Sequence, residues 1–251
     1  MTAEPTRSYA VIGDVHGCLA ELQRLVALIR QTDGHDRRTL VFSGDLADRG
    51  PENAKTLAQV MAWHKAGQAL CVMGNHDDKL RRGLMGNQIS LTHGIVHTMT
   101  QVRACGDDFV AELRAWLDSL PWYLDLQVAS ETLDEQLLVV HAGLSRHWQL
   151  NRDHKNARAF ALYGDVVQRK DPVTGLPVRA DWASSYGGQR PVVHGHETVV
   201  EAEWRNNVID VDTACVFGGK LTALLWPERT TLDVQSNFCF LDTLDNVTPS
   251  A

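Results

Sequence analysis

The sequence predicts an α/β protein, a layered sheet with helices packed against it. Through roughly the first ninety residues, short apolar runs that end in glycine alternate with amphipathic segments, a β-α-β-α-β series. The last third is a further succession of strand-like runs. With 251 residues, 44% of them hydrophobic and 22% charged, the chain can bury a sizeable core, and its aliphatic content excludes a disordered polymer.

Tyr9-Ala10-Val11-Ile12, followed by Gly13, suits a strand buried on both faces. Leu22, Leu25, Val26 and Ile29 then recur at the spacing of one helix face. Leu40-Val41-Phe42 is the second strand run, ending near Gly44. Pro51 stands where a helix favours its first residue, and Ala54, Leu57, Ala58 and Met61 supply the apolar face. Leu70 to Met73, closed by Gly74, is the third strand. Phe109, Leu113, Trp116, Leu117 and Leu120 keep helical spacing until Pro121 stops the run. Leu137 to Val140 leads into His141-Ala142-Gly143, and further strands fall at Pro191–Val193, Val208–Val211, Leu221–Trp226 and Thr230–Val234. The expected organisation is a single domain over residues 1–251 with its core at about 8–235. Met1–Arg7 and Thr243–Ala251 are expected to be loosely held ends.

No apolar run reaches the roughly 20 residues of a membrane span, and polar residues interrupt the N-terminal stretch, so neither anchor nor signal peptide is expected. Five widely spaced cysteines without a C-x-x-C pattern point to a reducing, cytoplasmic setting, with the thiols as buried small hydrophobes. The net charge of −7 argues against a general nucleic-acid coat. Residues 146–179 depart from that balance: seven Lys/Arg against three acids give +4, leaving −11 elsewhere. Such a stretch is either a solvated basic face or a lid over a polyanion site. Its position between two histidine motifs favours a lid-like segment at about 146–190.

Polar residues gather where the strand runs end. Gly13-Asp14-Val15-His16-Gly17 follows the first strand and Gly44-Asp45-Leu46-Ala47-Asp48-Arg49-Gly50 the second. Gly74-Asn75-His76-Asp77 follows the third, and later runs end at His141 and at His194-Gly195-His196. Carboxyl ends of strands in open α/β sheets converge on one rim, so these loops are expected to build one site. Aspartate, asparagine and imidazole without thiolate suit Mn, Fe, Ni or catalytic Zn. Six donors (Asp14, His16, Asp45, Asn75, His141 and His196) are too many for one four-coordinate ion and natural for two. Two divalent ions against two aspartates leave a positive site suited to a phosphate dianion.

In order, these motifs resemble the signatures of the calcineurin-like metallophosphoesterases, in the branch that contains the phosphoprotein phosphatases. From about Tyr9 to Val234 the chain resembles the phosphatase module of bacterial polynucleotide kinase-phosphatases, through stretches such as Phe160-Ala161-Leu162-Tyr163-Gly164-Asp165 and Ile209-Asp210-Val211-Asp212-Thr213. Bacterial symmetrical diadenosine tetraphosphatases share the core motifs and are nearly as close. The resemblance implies a layered β-sandwich flanked by helices and a cofactor of two divalent metal ions, with Mn favoured.

The roles follow residue by residue. Asp14, His16 and His196 would hold one ion, Asn75 and His141 the other, and Asp45 would bridge them. His76 would be the general acid, oriented by Asp48. Arg49 would clamp phosphoryl oxygens, with Arg158 as a second clamp and Asp212 near the substrate. The implied reaction is hydrolysis of phosphate esters of nucleotide-like or oligonucleotide substrates by direct attack of metal-bound hydroxide. Symmetrical cleavage of a bis(5'-nucleosyl) tetraphosphate to two ADP and serine/threonine protein dephosphorylation are the alternatives. Asp77, where eukaryotic protein phosphatases carry glutamate, leans away from the last, and Ala47 replaces the valine usual before Asp-Arg-Gly. A non-catalytic scaffold would have no reason to keep the six metal donors together with His76, Asp48 and Arg49, and no obligate protein partner is evident. His194 is expected to stay off the substrate, and His93, His97, His147 and His154 to be surface or core residues. Trp63, Trp116 and Trp226 read as core; Trp182 and Tyr186 read as structural, base stacking being the less favoured alternative.

Overall fold

Strand β1 (Tyr9–Ile12) runs through the middle of a five-stranded sheet, buried at every residue. It pairs parallel with β2 (Thr39–Phe42), which pairs parallel with β3 (Ala69–Cys71). On its other side lies β11 (Lys220–Trp226), antiparallel, with β12 (Thr230–Gln235) at the edge, so the order is β12-β11-β1-β2-β3. The computed structural model describes residues 8–33, 38–127, 136–170, 172 and 177–241. The two ends expected to be loosely held lie outside them.

A second five-stranded sheet is ordered β4-β5-β8-β10-β9. It comprises β4 (Tyr123–Gln127), β5 (Gln136–Val140), β8 (Val192–His194), β9 (Trp204–Arg205) and β10 (Val208–Asp210). Strands β5, β8 and β10 are mutually parallel. A short hairpin of β6 (Val166–Lys170) and β7 (Pro177–Arg179) stands apart.

Side-chain alternation explains the layering. Tyr9, Val11, Val41 and Val72 face Leu137, Val139, Val193 and Ile209 across the gap between the sheets. Their neighbours Ala10, Ile12, Leu40 and Phe42 point the other way, into a core shared with helices. Those helices are α1 (Leu19–Thr32), α2 (Asn53–Lys65), α3 (Asn75–Leu84), α4 (Ile95–Ala104) and α5 (Asp107–Ser119). On the far side, Leu138, Val140, Val192 and Val208 pack against α7 (Lys155–Tyr163), which follows the short α6 (Arg146–Leu150), and against Trp182. The result is the expected sandwich flanked by helices. Each fully buried Leu, Ile or Phe contributes about 1.5–3 kcal/mol, so this two-faced alternation is the main source of its stability.

Trp116 and Trp226 are buried and Trp63 stacks on Phe42, as expected of core tryptophans. Trp182 and Tyr186 are buried too, which withdraws them from base stacking. The cysteines need one correction: Cys18, Cys71 and Cys215 are buried, but Cys105 is exposed at the end of α4 and Cys239 half-buried. Helix α2 begins at Asn53, two residues later than Pro51 suggests. Among the described residues no helix is long and apolar enough to cross a membrane.

Candidate active site

The parallel strands of both sheets deliver their following loops to one cavity of about 230 Å³. Asp14 and His16 follow β1, Asp45 follows β2, and Asn75 and His76 open α3 after β3. His141 follows β5, His196 follows β8 and Asp212 follows β10. Backbone bonds lock the first two loops together: the amides of Val15 and His16 donate to the Asp45 carbonyl at 3.2 and 2.9 Å.

Two of the candidate imidazole ligands are aimed from behind. His16 Nδ1 donates to the Ala47 carbonyl at 2.7 Å, which leaves its Nε2 lone pair facing the cavity. In the same way His141 Nδ1 donates to the Ser43 carbonyl at 3.0 Å, and its Nε2 lies 2.8 Å from Asn75 Oδ1. Asp45 stands between the two, with Oδ2 3.6 Å from His16 Nε2 and Oδ1 3.4 Å from His141 Nε2. The His76 amide donates to Asp45 Oδ1 at 2.8 Å, and Asp77 steadies the loop by accepting from the amides of Leu46 and Gly74. Asp45 thus belongs to two ligand groups, one with His16 and His76 and one with His141 and His196.

The grouping redraws one expectation. His196 lies on the His141 side, its Nδ1 3.1 Å from His141 Nε2, rather than beside Asp14 and His16. The cause is the direct pairing of β8 with β5: the Gly195 amide donates to the His141 carbonyl at 2.8 Å, which sets the two following loops side by side. His194 points away: its Nδ1 donates to the Gly195 carbonyl, its ring packs near Trp182, and it does not line the cavity.

His76 and Asp48 are joined. His76 Nδ1 donates to Asp48 Oδ2 at 2.7 Å, and Thr98 Oγ on α4 donates to Asp48 Oδ1 at 2.6 Å. Arg49 donates to His16 Nε2, and its guanidinium lies 5.3 Å from the Phe217 ring centre. Asp212 lines the cavity. Arg158 does not; it is exposed on α7, 3.9 Å from Asp78. Arg179 lines the cavity instead, and among the described cations of the basic segment it alone does so.

The electrostatics suit bound cations. Burial and the neighbouring carboxylates Asp212, Asp45 and Asp210 push the Asp14 carboxyl well above its usual range. Burial, with Asp45 nearby, pushes Asp212 up to about 6. Burial would also raise Asp45, but the surrounding imidazoles outweigh it and hold Asp45 below the ordinary range. Burial drives His196 down to about 2, keeping it neutral and able to ligate, and its Nε2 is buried without a hydrogen-bond partner. Crowded carboxylates beside neutral imidazoles are a donor set that suits divalent cations. Backbone strain marks the same place. Of ten non-glycine residues with positive φ among those described, six are His16, Asp45, Asp48, Arg49, His93 and His196. Such geometry costs on the order of 1 kcal/mol or more per residue and persists where a site demands it.

Three residues here escaped the sequence reading. His93, expected at the surface or in the core, lines the cavity with its ring 6.0 Å from that of His76. Thr98 supports Asp48 from a helix whose face is otherwise apolar, and Arg179 arrives on a short hairpin with no apolar pattern.

Comparison with known proteins is consistent with this geometry. The profile of the calcineurin-like phosphoesterases matches residues 8–220. A protein of Anoxybacillus flavithermus named bis(5'-nucleosyl)-tetraphosphatase PrpE [asymmetrical] is 35% identical over 239 residues, covering 93% of this chain and 96% of the relative. The protein of that name from Geobacillus thermodenitrificans is 37% identical over 238 residues, covering 90% and 94%. A crystal structure provisionally described as a diadenosine tetraphosphatase superposes with a TM-score of 0.67 at 25% identity, over 92% of this chain and 94% of that one. A protein serine/threonine phosphatase of Saccharomyces cerevisiae shares the fold, at 16% identity and a TM-score of 0.60 over 94% and 81%.

Proposed function

The chain belongs to the calcineurin-like phosphoesterases, hydrolases of phosphate esters, and from that footing we propose that it cleaves bis(5'-nucleosyl) tetraphosphates asymmetrically, to a nucleoside triphosphate and a nucleoside monophosphate. One observation carries the reading: Asp45 is shared by two ligand groups on the floor of a cavity whose walls hold His76, Arg49 and Arg179. The relatives' common name supplies the substrate class and the asymmetry, in place of the symmetrical products weighed from sequence.

Asp14, His16 and Asp45 would hold one divalent ion, and Asp45, Asn75, His141 and His196 the other, with Mn as the pair that this oxygen and nitrogen set suits. When bound, the ions supply Lewis-acid charge and lower the pKa of water toward neutrality. The chain's own groups do the rest. Arg49 and Arg179 orient and neutralise the phosphoryl oxygens. His76, fixed by Asp48, delivers a proton from Nε2 to the departing oxygen, while its Nδ1 keeps its own proton and donates it in a hydrogen bond to Asp48. Asp212, which lines the same cavity, would face the substrate. Residues 8–235 act as one catalytic domain, with 146–190 as its basic flank. A cytoplasmic location agrees with five unpaired cysteines.

The test is chromatography of the products of diadenosine tetraphosphate, with Mn²⁺ and with a chelator. ATP and AMP in equal amounts, only with metal, are expected. Two ADP would make the cleavage symmetrical. A surviving dinucleotide beside rapid aryl phosphate hydrolysis would move the substrate to another phosphate ester.

A further inference from the structure

A second groove adjoins the active site. It has a volume of about 500 Å³ and is lined by α6, α7 and the start of β6, including Trp148, Ala159, Phe160, Tyr163 and Val166. Arg179 lines both this groove and the catalytic cavity, so the two spaces share a wall. Tyr163 and Val166 are among the few large hydrophobic residues left exposed, at 37% and 44%, and both face this groove.

Resting on the reading above, we propose that this groove is the subsite for a nucleoside of the substrate, its base lying against Tyr163 while Arg179 holds the polyphosphate that leads to the catalytic cavity. The groove is aromatic and apolar where a base would stack, whereas the catalytic cavity is walled by charged groups and imidazoles, and Arg49 sits over Phe217, the one benzenoid ring among its described lining residues. Arg179 is built for the junction. Its Nε donates to the Tyr163 carbonyl at 2.9 Å and lies 3.7 Å from Glu197 Oε1, which fixes the guanidinium between the two spaces. The terminal nitrogens have no protein partner among the described residues and remain available to phosphate oxygens. At the rim, the Asp165 carboxylate and the Asn156 amide provide polar contacts for the edge of a base. Stacking accepts any base, so the groove reads the presence of a nucleoside more strongly than its identity.

Calorimetric binding of ATP and of inorganic tripolyphosphate to the Mn²⁺-loaded protein separates base from phosphate recognition. Wild type is expected to bind ATP roughly 10-fold tighter than tripolyphosphate, the range a single base–aromatic stack supplies. Tyr163→Ala, and independently Ala159→Leu, which fills the groove at an exposed helix position, should abolish that advantage while leaving tripolyphosphate affinity unchanged. Tyr163→Phe should restore it. A wild type with no preference for ATP, or variants that keep it, would overturn the subsite. A preference that obeys these variants in an enzyme that leaves diadenosine tetraphosphate intact would support the subsite and overturn the dinucleotide reading instead.

Discussion

His76 hangs on two hydrogen bonds in series, Thr98 to Asp48 and His76 to Asp48, all buried. If His76 is the general acid, His76→Ala should cut kcat by roughly 10²–10⁴-fold and leave bound metal intact. Asp45→Asn should abolish nearly all turnover, because it weakens both ligand groups. Loss of metal in the His76 variant, measured by elemental analysis, would place His76 among the ligands. Thr98→Val keeps the shape but strips a buried carboxylate of a donor. It should lower kcat by roughly 10-fold at unchanged metal content, a penalty typical of outer-shell partners, and Thr98→Ser should recover it. Thr98 was invisible in the sequence because it lies between Ile95 and Val102 on a core-facing helix side, where a threonine looks like any small residue. His16, Asp45 and His141 were legible because each directly follows an apolar strand run.

Helix α3 carries Asn75 and His76, yet hydrophobic periodicity does not reveal it. Its sequence is NHDDKLRRGL, and its buried positions include Asp77 and Asp78, whose carboxylates are used for loop amides and for Arg81 and Arg82. Edge strand β4 was also missed, since only Leu126 is buried in it. The strands buried on both faces were read correctly, with limits shifted by a residue or two, because an unbroken apolar run permits few other structures. The basic segment shows the boundary of such reading: composition marked it as cationic, but only tertiary structure brings Arg179 rather than Arg158 to the cavity. The approach of β3 to β2 yields a sharper test. A Cβ on Gly74 would fall 2.2 Å from the Asp45 amide nitrogen and 2.3 Å from its Oδ1. Gly74→Ala should therefore displace Asp45, costing about 1–3 kcal/mol of stability and most of the activity. Gly67→Ala, at φ +69° with open space around it, should cost about 1 kcal/mol through strain alone and spare turnover. Denaturation midpoints beside kcat values distinguish the two.

At the scale of the whole molecule, the site joins the two sheets. Its ligands come from β1, β2 and β3 of one and β5 and β8 of the other, so cations bound there would tie the halves of the sandwich together and relieve the repulsion among Asp14, Asp45 and Asp212. Each Mn²⁺ held at about 100 times its Kd should add about 2.7 kcal/mol, a rise in Tm of roughly 5–10 °C per ion for a chain of this size. A chelator should reverse it, and His141→Ala should reduce it. A Tm indifferent to metal would mean that the ligand cluster is not a folding-linked cation site.

The most direct measurement is the number of Mn²⁺ ions bound per chain at equilibrium, counted by dialysis against labelled metal while aryl phosphate turnover is followed on the same samples. Two ions per wild-type chain, turnover that rises with occupancy of the second, and loss of both ions in Asp45→Asn are the expected result. A single ion at full activity, or an Asp45→Asn protein that still holds two, would contradict a shared-aspartate centre.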